Sequence, residues 1–183
     1  MRCPPKPLRG WADTGLHHRL INDPDWVVEP KRDGDRCLVF YTTKGPDLWS
    51  RHRTRTRYNW LNNLKEELRW WDLPVGTILD CELCHEPKPN QDLHVFDIPS
   101  VEGPLRERYS VLEELYEEIQ EGAEYIHLVS RLDKATAYDS AIAAGDEGVV
   151  WKDINSPYEW QRNTSNCTVP YWIKMKPHQR YKS

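Results

Sequence analysis

No run of eighteen apolar residues occurs in this 183-residue sequence, so no segment has the length and hydrophobicity of a membrane-spanning helix. The stretch from Met1 to Gly10 also lacks the apolar block of a secretory signal and carries prolines and charges instead. Cysteine is sparse and unpaired in number. Cys3, Cys37, Cys81, Cys84 and Cys167 stand at uneven spacings, a poor disulfide framework, and reduced thiols are expected. Internal repeats, Gly/Ser linkers and low-complexity tails are absent as well, so one soluble, intracellular domain is expected. Missing too is an excess of positive charge: the net charge is −4, where a simple nucleic-acid binder would be basic.

What is present is a charge split and an unusual stock of tryptophan. Leu48 to Arg69 holds six Lys or Arg against two Glu, while Asp97 to Glu124 holds two Arg against nine acids. One face can therefore attract phosphates while the other stays solvated. Nine tryptophans supply packing units and flat platforms for bases, with packing the commoner use.

The periodicities predict an α+β domain of mainly antiparallel sheets with helices on their outer faces. Trp26 to Thr43 reads as two β-rich runs around a polar Asp-Gly element, which predicts a hairpin. Further strands are expected over 47–51, 77–85, 93–98, 125–130, 147–152 and 171–175. Apolar residues at helical spacing predict helices over 60–71 and 134–144, and most clearly over 105–120, where Pro104 and Gly122 suit the two ends.

Lys31-Arg32-Asp33-Gly34-Asp35-Arg36 is the segment with the strongest chemical character. It precedes, in order, Ser50-Arg51, Leu79-Asp80-Cys81-Glu82-Leu83, Val95-Phe96-Asp97, Glu147-Gly148-Val149-Val150-Trp151-Lys152 and Trp172-Ile173-Lys174-Met175-Lys176-Pro177. A lysine amine attacks only when neutral, so a nucleophilic Lys31 needs burial or neighbouring cations to release its proton. Lys152, Lys174 and Lys176 can supply that field and offset charge developing on a phosphate. Lys174 and Lys176 equally fit solvent-facing positions on an edge strand, since i and i+2 share a strand face. Glu82 and Glu147 lie beside apolar residues, where a carboxylate is costly unless paired or ligated. Taken without Lys31, both fit exposed acids at strand ends better. The alternating tract from Arg51 through Arg53 and Arg55 to Arg57 makes either a protective charged edge or a track for nucleic-acid phosphates. Cys81 and Cys84 have no second pair at ligand spacing and are not read as a zinc site.

The ordered series resembles the covalent nucleotidyltransferase superfamily of DNA ligases, RNA ligases and mRNA-capping enzymes, from about Glu29 to Pro177. Glu29-Pro30-Lys31, Asp33-Gly34, Glu147-Gly148 and the Trp-x-Lys-x-Lys ending look most like the adenylation (nucleotidyltransferase) domain of ATP-dependent DNA ligases. The resemblance implies that ATP and Mg²⁺, or Mn²⁺ in its place, are the cofactors, that Lys31 carries AMP, and that Lys174 and Lys176 assist; hard oxygen ligands in small number suit such a cation. It implies Glu29 on the adenine side, Phe96 stacked on the base and Glu82 on a ribose hydroxyl. Arg36 and Arg51 would meet ribose and phosphate, and Glu147 with Glu82 would hold the metal.

Nicked double-stranded DNA is the implied partner, RNA the alternative, and a monomer in a bacterial or phage-infected cytoplasm is expected. An RNA ligase, a guanylyltransferase and an inactive nucleic-acid-binding relative are the other readings. Two departures stand out. Cys81 occupies a place where the family usually has Gly, and residues 1–183 are expected to form a single adenylation domain without the OB-fold domain that normally follows.

Overall fold

The computed structural model describes residues 4, 6–11, 15–50, 62–84, 92–160 and 168–177. Within them the chain runs β1 (Lys6–Trp11), α1 (Gly15–Asn22), β2 (Trp26–Pro30), β3 (Gly34–Thr42), β4 (Gly45–Ser50), α2 (Asn62–Trp70) and β5 (Ile78–Cys84). It continues through β6 (Leu93–Asp97), α3 (Leu105–Ile119), β7 (Ile126–Leu128), α4 (Ala137–Ala143), β8 (Val149–Asp153) and β9 (Thr168–Lys176). The strands form two sheets, ordered β1-β9-β8-β2 and β4-β3-β5-β6-β7. Pairing is antiparallel except between β1 and β9 and between β6 and β7. The expected α+β class with mainly antiparallel sheets is what the molecule has.

Each sheet carries helices on its outer face, and each pair of layers has its own core. Leu64 and Leu68 of α2 and Leu112 of α3 pack on Val39, Leu79, Leu83 and Val95 of the larger sheet. Leu20 of α1 and Ala137 and Ala141 of α4 pack on Val28, Val149, Trp151 and Met175 of the smaller one. Strand alternation then sends the other set of side chains inward, between the sheets. Ile173 and Met175 face the outer core, which leaves Trp172, Lys174 and Lys176 lining a cleft. On β6, Leu93, Val95 and Asp97 are buried, and Phe96 lines the same cleft.

The predicted hairpin over 26–43 does not form. β2 pairs with β8 in one sheet and β3 with β4 and β5 in the other, so Lys31 to Asp33 carries the chain from sheet to sheet. The cause is non-local pairing. Lys31 N–H donates to the Gly148 carbonyl at 2.8 Å and Glu147 N–H to the Lys31 carbonyl at 2.9 Å, prolonging the β2–β8 ladder past Pro30. From Gly34 onward the partner is β5. Two glycines make these approaches possible. A Cβ on Gly34 would lie 2.3 Å from the Leu83 carbonyl oxygen, and one on Gly148, at φ +137°, 2.0 Å from that of Met175.

Smaller differences have local causes. The helix expected from 134 begins at Ala137, because Asp133 Oδ1 accepts from the N–H groups of Ala135 and Thr136 and holds them in a turn. The helix expected over 60–71 is α2. Trp71 follows its last turn as a buried core residue, while residues 60 and 61 lie outside the described set. Sequence periodicity missed β1 and α1 altogether. Cys81 and Cys84 both lie on β5, are buried and carry free thiols, as Cys37 does on β3.

Candidate active site

The cleft between the sheets encloses about 370 Å³. Glu29, Lys31, Arg36, Glu82, Phe96, Glu147, Lys152, Lys174 and Lys176, drawn from five separate sequence segments, all line it. Arg51, Arg53, Arg55 and Arg57 lie outside the described residues. Lys6, Arg32 and Trp172 also line the cleft, and sequence reasoning gave none of them a role. Its cationic side chains number seven against five acidic ones, so the cavity favours an anionic guest although the whole chain is acidic.

At one end Glu147 is bracketed by two lysines. Its Oε2 accepts from Lys31 Nζ, and its Oε1 from Lys176 Nζ at 2.5 Å. Burial opposes ionisation of this carboxyl, but hydrogen bonds from Lys176 and Lys31 outweigh it and hold the pKa below the usual carboxylate range. Arg32 beside them pairs with Asp146 at 3.0 Å. β9 lies between β1 and β8, so Lys174 and Lys176 are not on an edge strand, and their shared face borders the cleft.

At the other end Glu29 and Lys152, each 2% exposed, form a buried pair at 2.5 Å. Lys152 Nζ also donates to the Phe96 carbonyl at 3.2 Å and lies 4.6 and 4.8 Å from the ring centroids of Phe96 and Trp172. This qualifies the expectation that Lys152 serves the phosphate field. Its ammonium is held by Glu29 and the Phe96 carbonyl, because β2 and β8 pair across Val27 and Lys152 and bring it under Glu29. Burial raises the Glu29 pKa against the pull of Lys152. Glu29 Oε1 is buried without a hydrogen-bond partner, which is costly unless a ligand donates to it.

Between the two ends stand Arg36 and Glu82, cross-strand partners on β3 and β5. The Glu82 carboxyl is pushed up to about 7, first by burial, with Lys31 and Arg36 opposing and Asp80 and Glu147 adding to the rise. Arg36 Nε donates to Asp80 Oδ1 at 2.9 Å, its Nη2 bonds Asp80 Oδ2, and its Cζ lies 5.4 Å from the centroids of both Phe96 and Trp172. Behind Phe96, the next residue, Asp97, forms a fully buried fork with Arg108 of α3 at 2.7 and 3.0 Å. Asp80, Tyr158 and Arg108 had no assigned part in the sequence reading. A carboxylate in the apolar run Ile78 to Cys84 was a usable signal for Asp80, whereas nothing local marks Tyr158.

Glu82 and Glu147 are hard oxygen donors that both line the cleft, and both Glu147 oxygens are engaged by lysines. Among the described residues no cluster of three or more His, Cys, Asp or Glu suited to a metal occurs, so a cation held here would take most of its ligands from water and phosphate oxygens. Among the same residues no helix is long and apolar enough to cross a membrane.

No protein-family model matches the chain. The DNA ligase of Archaeoglobus fulgidus is 30% identical over 82% of this chain, which spans 32% of that relative's length. Among solved structures, mycobacterial DNA ligase D complexed with ATP and MES superposes with a TM-score of 0.70 at 22% identity, covering 96% of this chain and 60% of that one. The ATP-dependent DNA ligase of bacteriophage T7, in complex with ATP, gives 0.67 at 15% identity, covering 96% and 68%. The chain is thus similar in sequence to DNA ligases over most of its length, and its architecture is that of their nucleotidyltransferase domain.

Proposed function

We propose that this chain is the adenylation domain of an ATP-dependent DNA ligase, with Lys31 as the residue that carries AMP. The observation that carries the reading is convergence: nine side chains chosen from separated sequence blocks surround one anion-favouring cleft, with Lys31 beside Glu147 and Lys176 at one end.

The nucleotide lies along the cleft in this reading. Phe96 and Trp172 border the base, and the unpartnered Glu29 Oε1 accepts from an amino group of that base. Glu82 and Arg36 meet the ribose, with Arg36 reaching toward phosphate. Lys174 and Lys176 face the α-phosphate, where negative charge grows as the reaction proceeds. Mg²⁺ held by Glu147 and Glu82 supplies Lewis-acid neutralisation of the phosphates when bound.

Neutral Lys31 Nζ attacks the α-phosphorus in line. A phosphoramidate N–P bond forms with one N–H proton released to solvent, the α–β phosphoanhydride bond breaks, and pyrophosphate leaves with the bonding pair. AMP then passes from Lys31 to the 5′-phosphate of a nick, and the 3′-hydroxyl displaces AMP to seal the strand. In the ligand-free protein the Lys31 ammonium is tied to Glu147, so attack requires that contact to be given up as nucleotide enters. Such an activity serves DNA replication, repair and recombination.

The test is transfer. Protein labelled with AMP is mixed with a nicked DNA duplex and, separately, with a nicked RNA duplex, and the 5′-adenylated strand is resolved on a denaturing gel. AMP appearing on nicked DNA supports the reading. Label that moves only to RNA reassigns the chain to an RNA ligase, and label acquired from GTP in place of ATP reassigns it to a guanylyltransferase.

A further inference from the structure

Arg36 is held from behind by Asp80, and Asp80 in turn by Tyr158, a residue that lies in none of the sequence motifs. Both Asp80 oxygens accept from the Arg36 guanidinium, Asp80 is 0% exposed, and Asp80 Oδ2 takes a further hydrogen bond from the Tyr158 hydroxyl at 2.5 Å. Tyr158 follows β8, 78 residues from Asp80, on a segment fastened by Arg108. Arg108 Nη1 donates to the Ser156 carbonyl at 3.2 Å, and its Cζ lies 5.6 Å from the Tyr158 ring centroid. The Tyr158 ring meets Trp172 edge-on at 6.0 Å, and Trp172 is one of the two rings beside Arg36.

A guanidinium on a long side chain has many rotamers, and one carboxylate can follow it through several of them. A third donor on that carboxylate, supplied by a ring that is itself packed, removes the freedom. We propose that Tyr158 is a positioning residue of the cleft: its hydroxyl fixes the Asp80 carboxylate, and through it the Arg36 guanidinium, in one orientation beside Phe96 and Trp172. This rests on the cleft being the nucleotide site. An Arg36 already ordered before ATP arrives loses less entropy on binding, so Tyr158 acts on nucleotide affinity without touching nucleotide.

Tyr158→Phe keeps the ring and removes the hydroxyl. Two measurements on the full chain separate the proposal from the reading beneath it. The first needs no nucleotide. The Arg36 Nε–Hε signal, assigned by its loss in Arg36→Lys, is followed by solvent exchange in ¹⁵N NMR. Exchange is expected to quicken roughly tenfold in Tyr158→Phe, about one charge-assisted hydrogen bond, and an unchanged rate overturns the proposal.

The second measures ATP dissociation constants in a mutant cycle. Tyr158→Phe should weaken ATP roughly tenfold in the parent and by less than about twofold when Arg36 is already Ala. Equal weakening in both backgrounds overturns the proposal, since Tyr158 would then act on packing at large. Should the parent not bind ATP, the nucleotide reading falls, and the exchange measurement still decides whether Tyr158 orders Arg36.

Discussion

Lys31 and Glu147, 116 residues apart in sequence, are joined twice: the Glu147 N–H donates to the Lys31 carbonyl at 2.9 Å, and Lys31 Nζ bonds Glu147 Oε2. The backbone link sets the distance, and the side-chain link helps to hold the Glu147 pKa below the usual carboxylate range. Replacing Glu147 by Gln keeps the first and removes the charge of the second. AMP loading in Glu147→Gln is expected to fall roughly a hundredfold or more on the proposal that Glu147 holds Mg²⁺ beside the phosphates, because the amide removes the anionic donor. Rates of adduct formation at saturating ATP check this, and a loss of only a few-fold would mean that Glu147 merely stores Lys31.

Phe96 borders the cleft from β6, with Lys152 and Arg36 over its ring. If it stacks on the base, Phe96→Ala costs about 1–3 kcal/mol of nucleotide binding, roughly a ten- to hundredfold rise in KM for ATP, with Phe96→Trp close to the parent. A changed kcat at constant KM would place Phe96 elsewhere in the reaction.

Gly148 has φ +137°, and a Cβ there would fall 2.0 Å from the Met175 carbonyl oxygen. Gly148→Ala therefore separates β8 from β9 or moves Glu147, and a loss of at least about 2–3 kcal/mol in urea unfolding is expected. Gly76→Ala is the control, since its Cβ meets nothing within 4 Å although φ is +100°. The Gly148 variant should lose markedly more stability than the Gly76 variant, and it should lose AMP loading as well.

The Glu82 carboxyl sits at about 7 in the folded protein, mainly through burial, against an ordinary value of 4.5. Between those values the folded chain keeps a proton that the unfolded chain has released. Stability contributed by this group is therefore present at low pH and is lost as pH rises from about 4.5 through 7. Melting temperature in the ligand-free protein should decline across that window in the parent relative to Glu82→Gln. Curves that stay parallel would show that Glu82 ionises normally.

Much of the cleft was legible in the sequence because chemistry of this kind needs particular residue types. Lys31, Glu82, Glu147, Lys174 and Lys176 were singled out by the order of the motifs that hold them, since none is conspicuous alone, and strand alternation put Lys174 and Lys176 on one face. Sheet membership was not legible. The Asp-Gly element after Lys31 looks like a turn, yet partners near residues 82 and 148 draw β2 and β3 into different sheets, and local pattern carries no trace of that. Tyr158 and Arg108 were invisible for a related reason: a Tyr in a loop and an Arg in an acidic helix look like surface residues until the fold places Asp80 and Asp97 against them. β1 was missed because its proline and basic residues hide a strand that pairs with β9.

The central claim is that Lys31 takes AMP from ATP, and intact mass tests it most directly. The chain is incubated with ATP and Mg²⁺ and its mass recorded under denaturing conditions, beside Lys31→Ala and a reaction with GTP. A gain of one AMP is expected, acid-labile, specific to ATP, removed by pyrophosphate and absent in Lys31→Ala. An adduct that persists in Lys31→Ala would contradict the claim. So would a folded, ATP-binding chain that gains no AMP and releases none to pyrophosphate.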